Sequence, residues 1–289
     1  MIKTEDNKTS FNFGGLPARY STYKHSNIVV LPVPFDKTSS WIKGSDKGPR
    51  AIINASRNME LYDIETDSEV YRKGIHTAKA VKSGNSEKMV DSVHKKVGKL
   101  LQDHKFVVLL GGEHSVSLGA IRAHAESYGN LSILHLDAHS DLRDSYEGNK
   151  YSHASIMART KEITEDIISV GIRSSDSSEL KNIRKQNTFY ASYIHHSGDW
   201  IKKVVKKLSR DVYISIDLDV FDPSIMPSTG TPEPGGLGWY DVIDLLDHVT
   251  RHKNVVGLDV VELCPSKNNP APDFLAAKLI YRLLSLKFA

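Results

Sequence analysis

Leu131-Ser132-Ile133-Leu134-His135-Leu136 runs directly into Asp137-Ala138-His139-Ser140-Asp141. The first six residues form an apolar run of strand length. The next five carry three metal-ligand side chains at two-residue spacing. Two further segments repeat the pattern. Phe106-Val107-Val108-Leu109-Leu110 leads into Gly111-Gly112-Glu113-His114-Ser115, and Val212-Tyr213-Ile214-Ser215-Ile216 leads into Asp217-Leu218-Asp219. Side chains alternate along a strand, so Asp217 and Asp219 are expected on one side if the strand continues through them. Each strand delivers candidate ligands at its carboxyl end.

Helical periodicity fills the spaces between such runs. Ile28–Pro32 reads as the first strand, followed by a helix from Pro49 to about Met59 with Gly48 as its N-cap. Residues 86–103 form an amphipathic helix with Met89, Val93, Val97, Leu100 and Leu101 on one face. Further helices are expected at Ser117–Tyr128, Trp200–Leu208, Trp239–Val249 and Pro272–Leu286. Strands are expected at 167–171, 212–218 and 255–260, with loops at 138–151 and 223–238. Uninterrupted apolar strands alternating with helices imply an α/β fold: a single-domain, three-layer αβα arrangement over residues 1–289, its mostly parallel sheet covered by helices on both faces. Such sheets bind ligands beyond the carboxyl ends of their strands. The acidic and histidine motifs fall at those ends.

Composition narrows the partners. The 38 Lys and Arg against 35 Asp and Glu leave a formal charge of +3, too small to point to nucleic acid or an anionic membrane. No apolar stretch approaches the roughly 20 residues of a membrane span. Residues Thr4, Glu5, Asp6, Asn7 and Lys8 are polar and resemble no secretory leader. A single cysteine, Cys264, excludes an internal disulfide framework and suits a reducing compartment. A cytoplasmic protein is the expectation.

Four carboxylates and two imidazoles exceed the needs of one ion and suit two divalent cations. An oxygen-rich set with some imidazole favours Mn²⁺ over Mg²⁺ or Ca²⁺, which rarely take histidine, and over Zn²⁺, which more often takes histidine-rich or cysteine-containing sets. A lone Asp-x-Asp is more often a turn, and a lone histidine after Gly-Gly more often a packing residue. Their recurrence at several strand ends argues for a site. Two close metals can share a water and lower its pKa toward neutrality, which points to hydrolysis. The Gly-Gly pairs at 111–112 and 235–236 lack the spacing of a phosphate loop or dinucleotide fingerprint.

These segments resemble the ureohydrolase family of arginases and agmatinases. The matching stretches are Gly111–Ser115, Asp137–Asp141, Ser215–Pro223, Ser228–Gly236 and Gly257–Glu262, together with Phe13-Gly14-Gly15 and Gly48–Ile52. The resemblance implies a binuclear manganese site held by His114, Asp137, His139, Asp141, Asp217 and Asp219. It implies that Asp137 and Asp217 bridge the two ions and that Asp141 also hydrogen-bonds a bridging hydroxide. His153 matches a histidine that passes a proton to the leaving amine, and Glu262 an acid that grips the guanidinium. A homo-oligomer, trimer or hexamer, is the family expectation.

The loop Leu142–Ser152 lacks the Ser/Thr-rich pattern of arginases and is similar to agmatinase, as is Phe13-Gly14-Gly15. The implied reaction is hydrolysis of agmatine to putrescine and urea. Asp144 or Glu147 is a candidate partner for the far ammonium, with Glu147 more simply a solvated charge. Arg143 opens alternatives with a carboxylated substrate: guanidinobutyrate, arginine or formimidoylglutamate. A non-catalytic metal-binding relative is the alternative of a different class, and the complete ligand set argues against it.

Overall fold

Val-, Ile- and Leu-rich runs become strands β1 (Ile28–Val33), β3 (Phe106–Gly111), β4 (Leu131–Leu136), β5 (Ile167–Ile172), β7 (Asp211–Asp217) and β8 (Asn254–Val261) in a computed structural model that describes residues 11–289. Thr4, Glu5, Asp6, Asn7 and Lys8 lie outside the described residues. Two short strands, β2 (Ile75–Thr77) and β6 (Thr188–Tyr190), complete an all-parallel sheet in the order β2-β1-β3-β8-β7-β4-β5-β6. The edge strands have only three residues each, which limits the unpaired backbone offered to other chains.

Strand alternation divides the core. Val30, Val108, Leu134, Ile214 and Leu258 face one side and pack with the helices Gly48–Ser56, Trp239–His252 and Ala271–Phe288. Val29, Val107, Ile133, Tyr213 and Val256 face the other side, with Ser86–Gln102 and Ser117–Tyr128. This is the three-layer α/β arrangement that the periodicities imply. Each fully buried Leu or Ile contributes about 1.5–3 kcal/mol.

Local details differ from the sequence reading in instructive ways. Lys47, not Gly48, is the N-cap of the first long helix; Gly48 is already helical, and Pro49 occupies the first turn. A Cβ on Gly48 would come within 2.6 Å of the Leu263 carbonyl oxygen, so close packing is the reason for this glycine. Asn85 caps the next helix by accepting from Lys88 N, and Leu101 is half-buried at its face edge. Strand β7 stops at Asp217. Asp219 lies in the 3-10 turn Leu218–Val220 and not on the strand.

The central four strands are β3, β8, β7 and β4. They are distant in the chain, yet they bring every candidate ligand to one edge. Leu136 pairs with Ile216, Ile216 with Val260, and Leu110 with Val260. Asp137, Asp217 and the residues after Gly111 and Val261 therefore leave the sheet at a common level. Crossovers that skip strands create the crevice where α/β sheets bind ligands.

Candidate active site

The chain turns sharply where β3 ends. A Cβ on Gly112 would lie 2.1 Å from the Phe35 carbonyl oxygen, so only glycine admits this approach. Glu262 N donates to Gly112 O at 2.8 Å, and His114 N donates to Glu262 Oε1 at 2.7 Å. These bonds lace the ends of β3 and β8 together. The acidic residues organise their own turns. Asp217 Oδ1 accepts from Asp219 N at 2.9 Å, Asp219 Oδ1 from Ala138 N at 3.0 Å, and Asp137 Oδ1 from His139 N at 2.6 Å. Asp217 and Asp219 therefore converge through a capped turn instead of strand alternation.

All six sequence-derived ligand candidates meet here. His114 Nδ1 lies 3.1 Å from Asp137 Oδ2, 3.2 Å from Asp141 Oδ2 and 3.5 Å from Asp217 Oδ2. His139 Nδ1 lies 2.9 Å from Asp219 Oδ2. Donor atoms of His114, His135, Asp137 and Asp141 fall within 4.8 Å of one another, as do those of Asp137, His139 and Asp219. Asp137 belongs to both groups. His114 Nε2 lies 2.9 Å from Ser215 Oγ, which donates to Asp259 Oδ1 at 2.9 Å, so the ring is oriented with Nδ1 toward the carboxylates.

His135 is the member that sequence reasoning missed. It is buried, with Nε2 2.8 Å from Asp137 Oδ2 and Nδ1 3.1 Å from Ser169 Oγ. Its position two residues before Asp137 on the same strand was the available signal.

The electrostatics fit cations. Burial pushes the Asp217 carboxyl well up, aided by Asp219, Asp137 and Glu262; burial and Asp137 raise Asp219. Burial and Glu113 push Glu262 well up. Burial opposes charge on the histidines too, yet Asp137 and Asp141 hold His114 above its ordinary value, and Asp219 brings His139 up to about 10. Asp137 is held down against burial by His135 and His114. Acids that repel one another until they share a positive charge form a cation cage. Buried His114 Nδ1 has no well-formed hydrogen bond and faces the same space as three carboxylate oxygens. Nitrogen and oxygen donors of this kind suit a borderline divalent metal.

His114, His139, Asp141, Asp217 and Asp219 floor a cavity of about 300 Å³ whose walls include Trp41, Arg143, Tyr146, His153, Asp176 and Glu262. Asp144 does not serve this cavity. Its carboxylate is exposed and accepts from Arg159 Nη2 at 2.7 Å, because the loop turns it outward. Glu147 is exposed, as a solvated charge should be. The acidic residues missed by the sequence reading are Asp176 and Glu179, which enter the lining from the loop after β5. Arg143 does line the cavity, but it lies 3.4 Å from Asp176 Oδ2 and over the Tyr146 ring at 5.2 Å. The matching segment Phe13-Gly14-Gly15 lies elsewhere: Phe13 is buried, and Gly14 N donates to Ser56 Oγ at 2.9 Å.

Comparison with known proteins agrees with this geometry. The arginase family model matches residues 26–285. The chain belongs to the arginase family. This ureohydrolase is 41% identical over 269 residues to the N(1)-aminopropylagmatine ureohydrolase of Thermus thermophilus, covering 92% of each chain. It is 31% identical to the agmatinase of Pyrococcus horikoshii, covering 91% of this chain and 93% of that one. Its fold superposes on the crystal structure of the agmatine ureohydrolase of Thermoplasma volcanium with a TM-score of 0.89 and 33% identity, over 97% and 95% of the two chains. It is an agmatinase-like hydrolase of guanidino C–N bonds. No helix among the described residues is long and apolar enough to cross a membrane.

Proposed function

We propose that this ureohydrolase releases urea from the guanidino end of an agmatine-type amine, using two Mn²⁺ ions held by His114, Asp137, His139, Asp141, Asp217 and Asp219. One observation carries the reading: Glu262 lines the same cavity as His114, His139, Asp141, Asp217 and Asp219, and the wall cation of that cavity, Arg143, is already paired with Asp176. That pairing leaves a carboxylated tail without a free partner, and burying an unpaired charge is costly. An alkylammonium tail has no such conflict.

Divalent ions held by these six residues would lower the pKa of a bound water toward neutrality and so make it a nucleophile. The chain's own groups do the rest. Glu262 Oε1 is engaged by His114 N, while Oε2 points toward Gly230, where a Cβ would lie 3.8 Å away. Oε2 is thus the atom offered to a guanidinium N–H. An arriving guanidinium also restores the ionised form of a carboxyl that burial had pushed up. His153 holds the proton for the leaving nitrogen. That proton is the one the carbon's new hydroxyl gives up to the ring nitrogen. As the C–N bond breaks, its electron pair stays on the nitrogen that has received the proton, so the amine departs as neutral R–NH2, which solvent then protonates, and the carbon departs as urea.

Agmatine, giving putrescine, is the first reading of that substrate. N(1)-aminopropylagmatine is a second reading, favoured by the 41% identity to an enzyme named for it. The exposed Trp41 on the wall also gives a longer cationic tail an aromatic face. A cytoplasmic homo-oligomer, trimer or hexamer, with residues 1–289 forming one catalytic domain, completes the proposal. The test is urea release from Mn²⁺-loaded protein with agmatine, N(1)-aminopropylagmatine, arginine, guanidinobutyrate and guanidinopropionate. The two amines should lead and arginine should be poor. Preference for a carboxylated substrate rejects the tail assignment, and silence on the whole panel rejects the activity.

A further inference from the structure

His153 is not held by its own loop alone. Its backbone N donates to Thr38 Oγ1 at 3.0 Å, and its Nδ1 lies 3.2 Å from the same oxygen. Thr38 Oγ1 in turn donates to Glu113 Oε1 at 2.6 Å. Glu113 is fully buried and also accepts from Lys37 N at 2.7 Å, Thr38 N at 2.5 Å and Ser115 Oγ at 2.6 Å.

Counting protons decides the roles. A threonine hydroxyl has one proton and two lone pairs. A carboxylate cannot donate, so the Thr38 proton goes to Glu113. One lone pair then receives the His153 backbone N–H. The other faces Nδ1, and two acceptors cannot bond to each other. Nδ1 must therefore carry a hydrogen. In the neutral imidazole this leaves Nε2 as the bare nitrogen. Nε2 has no hydrogen-bond partner among the described residues, and His153 lines the cavity. The Tyr146 ring stands edge-on to the imidazole, with centroids 5.5 Å apart and planes at 76°, limiting its rotation.

We infer that Thr38, anchored by buried Glu113, locks His153 in the Nδ1–H tautomer, so that Nε2 is the nitrogen presented to the cavity. Thr38 and Glu113 are positioning residues; neither needs to touch substrate. The kinetic consequence rests on the proposed reading of His153 as proton donor, whereas the tautomer rests on the hydrogen-bond count alone. The two are tested separately.

The tautomer is read by ¹⁵N chemical shifts of the His153 ring in the metal-free full chain, assigned by loss of the signals in His153→Asn. At alkaline pH, wild type should give a protonated-type Nδ1 and a bare-type Nε2. Thr38→Val keeps the shape but removes the acceptor, so the ring should move toward the Nε2–H form; Thr38→Ser should restore the wild-type pattern. A wild-type ring that is Nε2–H, or a pattern unmoved in Thr38→Val, overturns the lock. Kinetics of the Mn²⁺-loaded enzyme then read its use. Thr38→Val should lose at least about tenfold in kcat with KM within about twofold, and Thr38→Ser should recover most of it. A shifted tautomer with unchanged kcat would leave the lock standing and remove His153 from the reaction.

Discussion

Glu262 has a φ of 64°, and Asp141 a φ of 52°, in the left-handed region that non-glycine residues rarely occupy. Such residues cost about 1–3 kcal/mol each and persist where their surroundings over-determine them. Here the Glu262 backbone is pinned to Gly112 and its carboxylate to His114 N. Glu262→Gln preserves the shape and loses the charge. Hydrogen bonds to charged groups are worth about 1.5–3 kcal/mol, so kcat/KM should fall by at least about tenfold; full activity rejects the guanidinium role. Asp219→Ala removes the partner of His139 Nδ1 and the acceptor for Ala138 N together. Metal analysis after Mn²⁺ loading should find fewer ions per chain than the two expected of wild type, with activity lost in parallel. The ligand types and their spacing were legible because Asp137-x-His139-x-Asp141 and Asp217-x-Asp219 are local patterns. Thr38 was not, because its contact with His153 spans 115 positions and leaves no periodic trace. Asp176 and Glu179 escaped for the same reason: only the fold carries the loop after β5 to the cavity.

At the scale of elements, the long strands could be read because runs dominated by Val, Ile and Leu suit burial on both faces of a parallel sheet. β2 and β6 could not be read: three residues have no periodicity, and pairing alone makes them strands. The segment from Asp36 to Gly44 behaves as a strap over the cavity. Asp36 Oδ2 accepts from Gly44 N at 2.6 Å, and Glu113 Oε2 accepts from Lys37 N and Thr38 N. Between these anchors Trp41 is 70% exposed, with no ring or cation stacked on it among the described residues. The other aromatic wall, Tyr146, is already occupied by Arg143. An ammonium over an exposed aromatic ring is worth about 0.5–1 kcal/mol. Trp41→Ala should therefore raise KM about two- to fivefold for N(1)-aminopropylagmatine and less for agmatine, leaving kcat near wild type. Equal effects on the two amines would take Trp41 out of tail recognition. Arg143→Ala should leave the amines the best substrates, because Arg143 braces Asp176 and Tyr146. A wild-type preference for guanidinobutyrate or arginine that disappears in this mutant would instead make Arg143 a carboxylate clamp.

Over the whole molecule, the cation cage couples stability to metal and to pH. Burial and mutual repulsion raise Asp217 and Glu262 in the folded chain. A group whose folded pKa is raised contributes stability below its unfolded value and loses it as pH climbs through the folded one. The histidines have the same sign: His139, brought up to about 10 against burial by Asp219, stabilises below roughly pH 6.5 and progressively less above it. Asp137 has the opposite sign, since His135 and His114 hold it down against burial. Its contribution is complete above the ordinary carboxylate range and does not change near neutrality. The His139 part of the metal-free fold's stability should thus be lost between about pH 6.5 and about pH 10. Divalent ions compete with protons for the ligand atoms of Asp217 and the histidines, so they bind more tightly over that interval. Binding to the folded state alone stabilises by RT ln(1 + [L]/Kd), so tighter binding raises Tm further. The gap in Tm between Mn²⁺-saturated and chelator-treated protein should accordingly widen as pH rises, read by calorimetry in matched buffers. Taking the difference cancels titrations elsewhere in the chain. A gap that stays flat or narrows would mean that these carboxylates and imidazoles do not surrender their protons to the ions, and the cage assignment would fail with it.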